Sequence, residues 1–242
     1  MTAPRRTARL EHRLTRPTAS LAELDAALGV ALGNDLYSLS VSPWLVKAAA
    51  RGLVRSRVRV ATVIGFPHGS QLAAVKAFEA SKALQDGASQ LDFVLNAGAL
   101  ASGDEGAVLE DMLAVVEMAH SALAVAGVIV QVGALDDELI GRACRLAARA
   151  GADSVVSSSG DEPGLATALR TAFLRRIVGD ELEVAAAGDL RDISEIAAVV
   201  DAGADRISTA FSAELATAAT AWLREPARSA PRPLADVGAA VG

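Results

Sequence analysis

The chain has 242 residues, 52% of them hydrophobic and 3% aromatic, with a formal net charge of -6 at pH 7. That length suits one α/β barrel, which takes about 250 residues. The acidic balance and the shortage of aromatic rings argue against a nucleic-acid partner, which needs basic surface and stacking platforms.

Residues 1–9, including the arginine-rich run Thr2 to Leu10 at their border, are expected as a disordered arm rather than an apolar leader. Short β-branched runs then alternate with alanine-rich helical patterns. Strands are expected at Leu36–Val41, Val58–Ile64, Gln90–Leu95, Gly127–Val132, Asp153–Ser158, Leu182–Ala187 and Asp205–Thr209. Helices are expected at Leu21–Leu32, Gln71–Asp86, Ala107–Ala124, Asp137–Ala150, Gly164–Ile177, Ile193–Ala202 and Ser212–Leu223. Three helices end on the same phrase, Asp86-Gly87-Ala88, Ala150-Gly151-Ala152 and Ala202-Gly203-Ala204. A glycine there takes the left-handed turn that stops a helix and frees the next strand to start at once. Repeated αβ units of this kind make a parallel sheet.

Seven strands are visible by pattern, and an eighth around Leu10 to Leu14 is too short and charged for periodicity to identify. Eight would close a barrel, whereas seven would leave an open doubly wound sheet. No Gly-x-Gly-x-x-Gly follows the first strand, which weakens a dinucleotide-binding reading. Residues 225–242, with Pro226, Pro231 and Pro233, read as a disordered tail, leaving one domain over residues 10–224. Met118 to Leu135 has no formal charge, but His120, Ser121, Gln131 and Gly127 interrupt it, so no membrane partner is expected. Gly127 is read there as the break between helix and strand. The lone Cys144 sits at core spacing and excludes an internal disulfide, which fits a cytoplasmic protein with a buried thiol.

Five segments carry chemistry in an ordered series: Ser40-Val41-Ser42-Pro43, Thr62-Val63-Ile64-Gly65-Phe66-Pro67-His68-Gly69, Leu91-Asp92-Phe93-Val94-Leu95-Asn96-Ala97-Gly98, Asp153-Ser154-Val155-Val156-Ser157-Ser158-Ser159-Gly160 and Asp205-Arg206-Ile207-Ser208-Thr209. Together they resemble the deoxyribose-phosphate aldolase family over about residues 10–224. The resemblance implies a single-domain (β/α)8 TIM barrel, with its first strand at Leu10-Glu11-His12-Arg13-Leu14 and its site at the C-terminal ends of the strands. It also implies a homodimer.

In that family a lysine forms a Schiff base with the substrate, a second lysine depresses its pKa, and an aspartate shuttles protons. The aspartate matches Asp92. The Schiff-base lysine matches Val156, and the second lysine matches Ala185. The family's strand-five lysine and glutamate match Gly127 and Gln131, and its first-strand Asp-His matches Glu11-His12. Of the phosphate cup, Gly160, Gly188 and Ser208 remain, while a glycine becomes Asp189 and Asp161-Glu162 follows the serine run. Carboxylates beside a phosphate repel it, unless they are helix caps turned to solvent. The expected ligand set is Glu11, His12, Ser40, His68, Asn96, Gln131, Val156, Ser158, Ala185, Gly188, Asp189 and Ser208 around Asp92.

The three lysines, Lys47, Lys76 and Lys82, fall in helical patterns on the outer ring and are expected to be solvated. The three histidines, His12, His68 and His120, supply no metal cluster, and no cofactor is expected. Ser157-Ser158-Ser159 lacks the elbow and partners of a nucleophilic serine. Three readings stay open. One is an enzyme moving protons through Asp92 on an unphosphorylated carbonyl or polyol compound, as isomerase, cyclase, dehydratase or lyase without an iminium. The second is a non-catalytic homologue binding a metabolite or partner, and the third is a deoxyribose-phosphate aldolase with a displaced lysine.

Overall fold

The computed structural model describes residues 8–159 and 167–225, so the expected tail beyond Glu225, most of the expected arm, and Asp161 and Glu162 lie outside the described residues. Eight strands form a closed parallel barrel, each paired with its neighbours in sequence and β1 with β8. They are β1 (Arg9–Leu14), β2 (Ser38–Val41), β3 (Arg59–Ile64), β4 (Gln90–Val94), β5 (Val125–Ile129), β6 (Ser154–Val156), β7 (Glu183–Ala187) and β8 (Arg206–Thr209). The charged β1 is held on both edges, with Glu11 opposite Ser38 on one side and Ser208 on the other. It begins at Arg9, inside the segment expected as an arm.

The helices between strands are α1 (Leu21–Gly33), α2 (Val46–Leu53), α3 (Ala73–Gln85), α4 (Ala97–Ala101), α5 (Glu105–Ser121), α6 (Asp137–Arg149), α7 (Ala168–Val178), α8 (Ile193–Asp201) and α9 (Ala213–Arg224). Their starts are written in the sequence: Ser20 and Glu23 form a capping box on α1, and Asp104, Asp136, Thr167, Asp192 and Ser212 cap later helices. The three glycine phrases all close Schellman turns, with Gly87, Gly151 and Gly203 at φ of 107°, 76° and 102°. In each, the alanine N–H reaches back five residues, Ala88 to Ala83, Ala152 to Ala147 and Ala204 to Val199. The next residue joins the sheet immediately, as when Asp153 N–H donates to Ala126 O.

Two expectations change. The helix before β5 ends at Ser121, not Ala124, through Leu123 at φ 57°, and the strand starts at Val125. Gly127 is therefore mid-strand rather than a break. Lys76, expected to be solvated, is fully buried beneath the Gly65 turn, donating to Asp111 Oδ2 at 2.6 Å and Val94 O at 2.8 Å. Burial lowers its pKa while the Asp111 contact opposes that. No helix among the described residues is long and apolar enough to cross a membrane.

The core splits in two. The larger apolar cluster fills the layer between barrel and helices, while a second consists of Val63, Val94, Ile129, Val156, Ala185 and Ala187, with Phe66 packed on it, inside the barrel. The other end is closed by Tyr37, whose ring lies between Arg9 at 4.3 Å and Arg59 at 4.5 Å.

Because Gly151 has open space around it, Gly151→Ala isolates the cost of a left-handed backbone. It is expected to lower unfolding free energy by about 1 kcal/mol, read as a lower urea midpoint at unchanged slope. An unmoved midpoint would mean that this turn does not constrain the chain.

Candidate active site

Side chains alternate between the two sides of each strand, which sends Glu11, Ser38, Gln90, Asp92, Gly127, Ser154, Val156, Ala185, Arg206 and Ser208 into the barrel. They form two levels. The lower level is a buried charge network centred on Arg206, which donates to Asp92 Oδ1 at 2.9 Å and Glu11 Oε2 at 3.1 Å. Gln90 Nε2 donates to both carboxylates, at 2.6 Å to Glu11 and 3.0 Å to Asp92. Ser38 and Ser208 hydroxyls complete Glu11, each at 2.6 Å.

One buried guanidinium thus serves two buried carboxylates. Burial raises the Asp92 pKa to about 6, with Arg206 opposing and the Glu11 charge reinforcing the rise. Burial works against the Arg206 charge as well, but Asp92 and Glu11 outweigh it and hold the guanidinium above its usual range.

The upper level is the inner apolar collar, which includes both positions aligned with the family's lysines. Val156 is 3% exposed and Ala185 0%, with Asp92 at 3% beneath them. The levels meet over Gly127. A Cβ placed there would lie 2.3 Å from Asp92 Oδ1, 2.7 Å from Ser154 Oγ and 3.2 Å from Val156 Cγ2. A side chain here would require Asp92 or Ser154 to give way.

The rim is polar. Gln131, held at φ 50°, donates to Pro67 O at 3.0 Å and accepts from Ser159 N–H at 3.2 Å. It ties the ends of β3 and β6 across the mouth. Arg13 reaches from β1 to Ser159 O at 3.1 Å, bringing a cation over the same opening.

The structure brings Glu11, Asp92 and Ser208 into one network, places Val156 and Ala185 in the collar, and sets Ser40 one level above Ser38 on β2. Ser158 is buried beside the rim, and Gly188 N–H donates to Ser208 O at 3.1 Å. Four expected residues lie outside that buried network. His12 faces outward from β1, stacks on Phe211 and accepts its N–H on Nδ1 at 3.1 Å. Burial lowers its pKa to about 4, so it is neutral near pH 7. Asn96 caps α4 by accepting from Ala99 N–H at 3.0 Å. His68 is exposed. Asp189 is 54% exposed at its side chain and pairs with Arg191 at 2.6 Å, which offsets and screens its charge.

In the sequence, Arg206 stands out only as part of a motif, and Arg13 and Gln90 carry no sign of a role. For Arg206, the available signal was an arginine at an inward position of a strand whose neighbour carries Glu11. The three lysines lie away from the inner collar: Lys47 is exposed on α2, Lys82 pairs with Asp86 at the end of α3, and Lys76 points to Asp111 outside the barrel wall. Among the described residues, no group of three or more His, Cys, Asp or Glu side chains could hold a metal ion. Cys144 is buried, which pushes its thiol up to about 12.

Asp92 and His12 give opposite pH dependences. Between about pH 4 and 6 the folded chain keeps a proton on Asp92 that the unfolded chain has lost, so this contribution falls as pH rises. His12 is the reverse: from about pH 4 to its usual 6.5 the unfolded chain binds the extra proton, so stability rises with pH. Asp92→Asn is expected to unmask a rise of roughly 3 kcal/mol over that window, and His12→Asn a fall of roughly 2 to 3 kcal/mol. Urea unfolding at pH 4 to 7 measures both. If Asp92→Asn tracks the parent protein across this range, Asp92 does not hold its proton as described.

The comparisons with known proteins agree on lineage. The family model described as DeoC/LacD family aldolase matches residues 18–188. A deoxyribose-phosphate aldolase of Streptococcus pneumoniae is 40% identical over 200 residues, covering 83% of this chain and 90% of the relative. One from Thermococcus gammatolerans is 40% identical over 202 residues, with the same coverage. Among solved structures, a putative deoxyribose-phosphate aldolase from Coccidioides immitis superposes with a TM-score of 0.83 at 28% identity, covering 90% of this chain and 88% of that one. An aldolase designated QR15 does so at 0.80 and 31%, covering 85% and 91%. With the barrel and the ordered motifs, these matches show that the chain belongs to the DeoC/LacD aldolase family.

Proposed function

We propose that this family member works without a Schiff base and moves protons through Asp92 on a small unphosphorylated carbonyl or polyol compound. The observation that carries this reading is the apolar collar: Val156 and Ala185 stand at the positions aligned with the family's lysine pair, and Val156 meets Asp92 over Gly127. A carboxyl group with a pKa of about 6 is suited to taking and returning a proton near neutral pH. Taking a proton from the carbon beside a carbonyl and returning it to the neighbouring carbon or oxygen balances without a co-reactant. In isomerase, cyclase and dehydratase reactions the proton leaves carbon in this way, whereas a retro-aldol lyase takes it from the β-hydroxyl, breaks the carbon–carbon bond and returns a proton to the enolate carbon. The reading also includes a cytoplasmic homodimer with no nucleic-acid or membrane partner.

An unphosphorylated ligand is supported only by Asp189 beside Gly188, and Arg191 offsets part of that charge. Micromolar binding of deoxyribose 5-phosphate would overturn this element alone. A second reading, a non-catalytic binding homologue, is favoured by the double engagement of Asp92, with Oδ1 on Arg206 and Oδ2 on Gln90. A third, aldolase chemistry through a displaced lysine, is favoured by the names of the relatives.

Borohydride reduction with an aldehyde separates the third reading from the others, because only an iminium is fixed as a stable adduct. No adduct at any lysine is expected for the natural chain. Val156→Lys is expected to yield one, since its amine would enter a collar that disfavours the charged form. An adduct in the natural chain, located by peptide mass at Lys47, Lys76 or Lys82, would sink the proposal.

A further inference from the structure

Three neighbouring helices of the outer ring differ in character. Leu72, Val75 and Phe78 follow at spacings of three along one side of α3, and they are 76%, 50% and 74% exposed. The exposed charges farther along this helix, Lys82 and Asp86, pair with each other at 2.8 Å. On one flank the end of α3 meets α2, where a Cβ on Gly87 would lie 2.7 Å from Ala50 Cβ. Helix α2 follows Trp44, which is 60% exposed, and carries Lys47 and Arg51 but no acid. On the other flank α5 packs against α3 and carries Glu110 and Glu117 but no lysine or arginine. Between these two acids Leu113 and Ala114 floor a shallow groove. Lys47, Arg51, Glu110 and Glu117 are all exposed, and none is in an ion pair among the described residues.

We infer that this three-helix face is where a second copy of the chain docks, with the two-fold axis running along α3. A contiguous exposed apolar stripe marks a surface that something covers. In a two-fold dimer a surface meets itself. With the axis along the helices, α3 meets α3, and α2 of each copy meets α5 of the other. Cations then face acids, and Trp44 comes over the α5 groove. With the axis across the helices, α2 would meet α2 and α5 would meet α5, so that like charges oppose. The charge pattern thus fits a second copy in one orientation, with both barrel mouths open on the same side. The face measures about 20 Å along α3 and about 30 Å across the three helices, on the scale of the roughly 800 Å² per partner of a stable interface. The inference rests on the homodimer of the proposed function and locates its interface.

Sedimentation velocity of the full chain, over concentrations from micromolar upward, is expected to show a monomer–dimer equilibrium. Phe78→Asp is expected to raise the dissociation constant at least about thirtyfold. If that substitution disturbs the circular dichroism of the fold, the charge variants decide. Lys47→Glu with Arg51→Glu is expected to raise the constant about tenfold. Adding Glu110→Lys and Glu117→Lys is expected to restore it, because the pairing is then reversed rather than removed. Were α2 against α2, the first pair of substitutions would exchange one like-charge contact for another and change little. A dimer undiminished by a folded Phe78→Asp variant, or a quadruple variant no tighter than the double, would overturn this interface and leave the homodimer standing on another face. A natural chain that stays monomeric would overturn the interface and the homodimer together, with the Asp92 chemistry untouched. If that monomer bound anionic lipid vesicles and the Phe78→Asp variant did not, the stripe would belong to a membrane surface instead.

Discussion

The interior of this barrel depends on one guanidinium. Arg206 lies on β8, yet it holds carboxylates from β1 and β4. An unpaired carboxylate in such surroundings would be costly enough to take up a proton or force the strands apart. With Arg206 in place, Glu11 also accepts from Ser38 on β2 and Ser208 on β8, and Gln90 bridges the two acids. A short, charged first strand that has little apolar reason to close a barrel is thereby fastened across its interior. The same arrangement leaves two acids on one cation: burial lifts Asp92 towards neutrality, Arg206 opposes the rise and the Glu11 charge adds to it. Closure of the fold and poise of the candidate acid–base group therefore depend on the same buried network.

Much of the outline was legible in the sequence. Helix ends were marked by glycine phrases whose left-handed geometry only glycine adopts readily, and the strands by β-branched runs between them. The first strand was not legible from periodicity, because Glu11, His12 and Arg13 hide its alternation; the family resemblance located it. Positions inside the candidate site were readable only as far as strand alternation reached. Asp92, Val156 and Ala185 face inward as a period of two requires, whereas His12 follows the same rule outward, against Phe211. No pattern within a single strand announces that Arg206 will meet Asp92, residues 114 positions apart. That contact exists only once the sheet has closed.

The positions at which the resemblance implies amines lie close together in the fold. Forty per cent identity to deoxyribose-phosphate aldolases covers most of the chain. Gly127, Val156 and Ala185, which stand where the resemblance implies other residue types, all lie on the inner wall. Packing between barrel and helices constrains a sequence at many positions at once, so lineage stays visible there. Chemistry rests on a few side chains and can change while the shell remains.

Gly127 also bears on how the inner wall tolerates substitution. A side chain at this position would meet the Asp92 carboxylate and the Ser154 hydroxyl. A residue larger than glycine on β5 therefore requires a side chain on β4 or β6 to give way. The three strands are coupled at this point, so the effects of changing positions 92, 127 and 154 are expected not to add.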